Sequence, residues 1–71
     1  MITYKDILNK PRKVRYFPDG LVFIASAVEY GGAIGIAAWR VGEKPIKRGK
    51  HHLLDSVTRD SWLAHMTIVE D

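Results

Sequence analysis

The segment Leu21–Val41, LVFIASAVEYGGAIGIAAWRV, is broken by charge only at Glu29 and Arg40 and pivots on Gly31–Gly32. So apolar a run must be buried, and the way it is buried decides the fold. A membrane-spanning helix has the length it needs and basic residues at both flanks. Against it stand Glu29 close to the midplane, two adjacent glycines, and flanks too symmetrical to specify an orientation. A buried soluble helix must accommodate the same glycines and many β-branched and aromatic residues. A β-hairpin explains both features, because a two-residue loop needs positive φ and Gly-Gly supplies it without steric cost. That turn predicts strands over 21–30 and 33–41, pairing Tyr30 with Ala33, Val28 with Gly35, Ser26 with Ala37, Ile24 with Trp39 and Val22 with Val41. Both faces of this hairpin are apolar. One carries Val22, Ile24, Val28, Tyr30, Trp39 and Val41; the other carries Phe23, Ala25, Ala27, Ile34, Ile36 and Ala38.

The flanking sequence supplies little to cover two such faces. Thr3 is an N-cap candidate ahead of Tyr4, Ile7 and Leu8 at helical spacing, and Pro11 ends helical geometry just before it. The spacing predicts a short helix over 3–9. A strand over about 13–17 follows, closed by the turn Pro18-Asp19-Gly20. After Val41 comes a polar stretch punctuated by Gly42, Pro45 and Gly49, which reads as a long basic loop. A C-terminal helix over about 56–66 is expected, with Trp62 and Met66 one turn apart and Val57 on the same side. Thr67-Ile68-Val69 is β-branched and suits either a terminal strand or a frayed end. The expected fold is therefore one small α+β domain over residues 1–71: a short N-terminal helix, a three-stranded antiparallel meander (13–17, 21–30, 33–41), a long basic loop and a C-terminal helix. If both helices share one sheet face, the other needs a second copy or a partner, and a homodimer is one way to provide it.

At 71 residues the chain is near the lower limit for a self-sufficient core, and without cysteine it has neither disulfide staples nor thiolate metal sites. A hydrophobic fraction of 46% argues against disorder. The N-terminus shows no basic stretch running into an apolar one, so a cytoplasmic protein is expected. Charge is distributed unevenly. Residues 10–52 carry nine Lys/Arg against Asp19, Glu29 and Glu43, whereas residues 53–71 carry Arg59 against Asp55, Asp60, Glu70 and Asp71. A chain so polarised can be steered toward an anionic partner.

No motif fixes a chemistry. His51 and His52 are adjacent and point apart, and His65 is distant, so metal ligation is disfavoured. Ser61 and His65 share a helix face, but Asp60 points elsewhere and no nucleophile elbow is present. Gly31, Gly32 and Gly35 lack dinucleotide spacing, and Gly49-Lys50-His51 lacks the hydroxyl of a phosphate loop. Helix-turn-helix, zinc-finger, cold-shock and single-strand-binding signatures are absent. The sequence therefore points away from an enzyme and from a cofactor, and toward a small non-catalytic binding protein of regulator or inhibitor type. Such a module would dock a protein partner on an apolar sheet surface, with Lys44, Lys47, Arg48 and Lys50 steering and Tyr30 or Trp39 as anchor if exposed. The alternative is direct DNA or RNA binding through two basic clusters: Lys10, Arg12, Lys13 and Arg15, and then Lys44 to His52. In a plain meander these clusters leave from opposite ends of the sheet and form one patch only if the long loop folds back. A membrane role for 21–41 is the least supported of the three.

Overall fold

The computed structural model describes residues 2–69 and shows a five-stranded antiparallel sheet with one helix. Strands β1 (Arg12–Tyr16), β2 (Leu21–Tyr30), β3 (Ala33–Trp39), β4 (His52–Leu53) and β5 (Met66–Ile68) stand in the order β4-β3-β2-β1-β5. Helix α1 (Ser56–Ala64) connects β4 to β5. The class remains a mixture of helix and sheet, but the expected architecture is corrected in four places.

The first correction is at the N-terminus, where a single 3-10 turn, Tyr4–Asp6, replaces the helix over 3–9. Asp6 Oδ2 accepts from the Thr3 amide at 2.8 Å, which closes the turn locally. Two turns of isolated helix would gain too few hydrogen bonds to offset nucleation, and the next residues find better partners in the sheet. Ala27 donates to the Ile7 carbonyl (2.9 Å) and accepts from the Asn9 amide (2.7 Å), a parallel bridge that prolongs the β1 side of β2. Asn9, at φ 54°, then turns the chain into β1, a conformation that asparagine tolerates better than most residues.

The central hairpin takes the pairing that Gly31–Gly32 dictates, from Tyr30↔Ala33 to Ile24↔Trp39, with both glycines at positive φ. The second correction concerns its open end. The pair Val22–Val41 does not form. The chain turns at Arg40–Glu43, where Glu43 Oε1 accepts from the Arg40 amide at 2.9 Å and Gly42 has φ 92°. Strand β3 therefore stops at Trp39, while β2 continues to Leu21 against β1, which runs over 12–16 rather than 13–17.

The third correction is that the long loop ends in strand β4, paired on the free edge of β3 through Gly35↔Leu53 and Ile36↔His52. The fourth is that the helix stops at Ala64. The β-branched residues after it pair with β1 through Tyr16↔Met66, Arg15↔Thr67 and Val14↔Ile68. No helix among the described residues is long and apolar enough to cross a membrane, and the 21–41 run is a hairpin, not a membrane helix.

Register divides the side chains into two layers. On one face Val14, Ala25, Ala27, Ile34, Ile36 and Met66 join Ile2, Ile7 and Leu63 of α1 in a single core. Ile7, Ile36, Leu63 and Val14 are fully buried there, worth about 1.5–3 kcal/mol apiece in apolar transfer. On the second face, Ser26, Val28, Ala37 and Trp39 are also buried. Their cover is the chain's own loop. An added Cβ on Gly35 would stand 3.0 Å from His51 Cβ, so the missing side chain is what admits the loop to the sheet. Gly35→Val is therefore expected to lower stability by about 1–3 kcal/mol in chemical denaturation, through overpacking against His51. An unchanged midpoint would mean that the loop is not seated as described.

Candidate functional site

Two surfaces carry the chemistry of this chain, and they lie at opposite ends of the sheet. The first is basic and is organised by Arg48. The loop leaves Trp39, runs beneath the second face toward the hairpin tip, and makes a 3-10 turn at Arg48–Lys50 before reaching β4. Arg48 donates from Nη1 to Asn9 Oδ1 (2.8 Å) and from Nη2 to the Glu29 carbonyl (3.0 Å), and its guanidinium lies 5.6 Å from the centroid of the Tyr30 ring. A planar fork suits this triple contact, whereas a lysine would serve only part of it. His51 Nδ1 lies 3.0 Å from the Lys47 carbonyl. A carbonyl only accepts, so Nδ1 carries the proton in this contact. The His51 Nε2 and Tyr30 Oη atoms are buried and have no hydrogen-bond partner among the described residues.

The loop thus folds back, and the two basic clusters meet at the tip: Arg48 is bonded to the residue that precedes Lys10. Lys10, Lys44, Lys47 and Lys50 are exposed, and no carboxylate among the described residues pairs with them. Lys13 and Arg15 stand on the second face by register with Ile24 and Val22. Arg12, opposite Ala25, stands on the core face and is half-buried. Of the expected anchors, Trp39 is 9% exposed and Tyr30 is half-buried under Arg48, so neither is open to a partner.

The second surface is apolar and was not anticipated. Tyr16, Phe23, Ile36, Ala38, Trp62 and Met66 line an open groove of about 280 Å³ between α1 and the far end of the core face. Tyr16 is held in its wall with ring centroids 6.1 Å from both Phe23 and His65. Phe23 and Ala38 also border a wider notch of about 610 Å³, lined by Leu21, Val22, Trp39, Arg40, Val41 and Glu43. The notch exists because β3 ends at Trp39, leaving Leu21–Phe23 without a strand on that side. Exposed apolar side chains cluster at this end: Leu21 (62%), Phe17 (60%), Val41 (54%) and Trp62 (39%).

The spacing puts Trp62, Met66 and Val57 on one side of the helix, but α1 turns Leu63 into the core, Val57 is open to solvent, Trp62 stands at the groove's lip, and Met66 is buried from β5. The signal that would have found the groove is one of size. A helix of nine residues extends about 13 Å, less than the sheet of which it covers one face.

Helix α1, which sets the groove's upper wall, is capped by Asp55 accepting from the Thr58 amide at 2.8 Å. That backbone bond, then the bond from the Thr58 hydroxyl, holds the Asp55 carboxyl below its ordinary value. His65 Nδ1 meets the Ser61 carbonyl at 2.7 Å, and Asp60 takes Arg59 Nε at 3.2 Å, so the Ser61, His65 and Asp60 side chains make no relay. No cluster of His, Asp and Glu with metal-binding geometry occurs among the described residues. No family model matches this chain, nor does any curated protein or solved structure show detectable similarity to it.

Two outcomes follow from these contacts. Arg48→Lys should destabilise by about 1 kcal/mol and raise amide exchange across residues 42–50, because one ammonium cannot replace the fork. Protection equal to wild type would show that the loop is held by packing alone. A lowered folded pKa contributes stability above the ordinary carboxylate range, and that contribution is lost as pH falls through the lowered value. Asp55→Ala should therefore lower the melting temperature at neutral pH, with the gap closing in strong acid; a gap constant with pH would exclude the ionised cap.

Proposed function

We propose that this protein is a small non-catalytic binding module whose groove beside Trp62 takes up an extended apolar segment of a protein partner. The observation that carries this reading is the continuity of the groove with the notch at β2. Across the notch, Leu21–Phe23 offer strand backbone that no neighbour occupies, and a chain added there would run beside Phe23 and Ala38. Successive side chains of an added strand point to opposite faces, so every second one would enter the groove. A volume of about 280 Å³ is roughly twice that of a cavity able to hold benzene, enough for one or two large apolar side chains. Partly exposed aromatics such as Trp62 and Phe23 are the residue type that dominates binding energy at protein interfaces. The Arg48 end of the basic surface lies some six residues away along β2, about 20 Å, and on the other face. It therefore acts on approach and does not share the contact.

Selection from a displayed library of random peptides tests this reading. Enriched sequences should alternate large apolar residues, and Ala38→Gln should weaken them about tenfold by burying an unpaired amide. Ala38 is exposed, so this variant should melt like wild type. Sequences without alternation, or equal binding to the variant, would reject the proposal. A wild-type dimer that Ala38→Gln converts to a monomer would make the occupant a second copy instead and overturn it too.

A further inference from the structure

We infer that the loop-covered face of the sheet is a binding surface for the phosphate backbone of double-stranded nucleic acid. Charge is sorted across the sheet. Lys13 and Arg15 project from β1 on this face, Arg48 lies on it over Tyr30, and the loop that crosses it carries Lys44, Lys47 and Lys50. The single acid in that loop, Glu43, has its carboxylate bonded to the Arg40 amide. Among the described residues, three acids stand on the other side of the sheet. Glu29 pairs with Ile34 on the core face, and Asp55 and Asp60 accompany the helix that packs there.

Three features favour a duplex over other anions. The cations are spread over the width of three strands, about 10 Å, which suits repeated phosphates better than one small ion. The face offers no open aromatic anchor, since Trp39 is buried and Tyr30 lies under Arg48, and the exposed Leu53 beside Gly35 is of a residue type under-represented among interface hot spots. The same lack of exposed aromatic rings removes the stacking platform that single strands use. Arg48 is a positioning residue here: its fork to Asn9 and Glu29 brings the loop lysines onto the same side as the β1 cations.

The test is fluorescence anisotropy with a labelled mixed-sequence DNA duplex titrated over a range of salt. Wild type should bind at low salt, with log affinity falling linearly as log salt rises. The triple variant Lys44→Ala, Lys47→Ala, Lys50→Ala should bind at least about tenfold more weakly and lose about three from the magnitude of that slope, about one per phosphate contact. Lys5→Ala, on the N-terminal turn beside the helix, should change neither. The replaced side chains are exposed and unpaired among the described residues, so matching melting curves will show that the fold is intact. The inference is overturned if the duplex does not bind at low salt, or if the triple variant keeps the wild-type slope. It is equally overturned if a single strand of the same length binds more tightly than the duplex, or if polyaspartate competes as well as unlabelled duplex. The last result would reassign the face to an acidic protein. None of these readouts involves the groove, so the peptide-binding reading stands or falls separately.

Discussion

The fork of Arg48 onto the Glu29 carbonyl and Asn9 is the contact on which the remaining arrangement depends. Strand β2 outruns the N-terminal bridge at its tip, which leaves a carbonyl pointing sideways with no strand to receive it. Arg48 supplies that donor from far along the chain, and in doing so stretches the loop over the second face. Val28, Ser26 and Ala37 are buried beneath it, His51 is drawn against Gly35, and the chain emerges where β4 can pair with β3. A sheet apolar on both sides thus gains its second layer from its own loop. The demand for a covering partner, which the bare hairpin pattern raises, is met within one chain on that side.

What could be read from the sequence depended on how local the deciding interaction was. The hairpin register was legible because Gly31–Gly32 and the alternation around them fix it within a few residues. Strand β4, with two residues, has no such local signal, and the β-branching at Thr67-Ile68 that suits β5 does not fix its partner; both pair where β3 and β1 offer free edges. The loss of the Val22–Val41 pair was equally invisible, since it turns on Glu43 reaching back to the Arg40 amide. At the candidate sites the identities of the basic residues were legible, but their union was not: Asn9 and Arg48 are 39 positions apart and no pattern links them. Which tryptophan is exposed was not legible from residue type and spacing: Trp39 is buried and Trp62 is open. The layout of the elements decides it instead: Leu63 points from α1 into the core, and Trp62 is left at the groove's lip.

The two surfaces that result are chemically unlike and mechanically separate. The apolar groove rests on rigid strands and one capped helix, so its shape is largely set before anything binds. The basic face is carried by a loop anchored at Arg48 and at His51, with Lys44, Lys47 and Lys50 exposed along it. The groove lies on the core face, and the Arg48-anchored part of the basic loop lies at the other end of the sheet on its second face.

Short outer strands also govern how the molecule behaves in a crowded solution. An open sheet normally presents two lateral edges able to recruit further strands without limit. Here the edges are β4 and β5, too brief to hold an incoming chain by backbone hydrogen bonds alone. Leu21–Phe23 lacks a neighbour on its β3 side, in a recess flanked by the Arg40–Glu43 turn. A guest can enter that recess, but it cannot then offer a straight, open flank to the next. Edges this brief give a growing fibril little to build on.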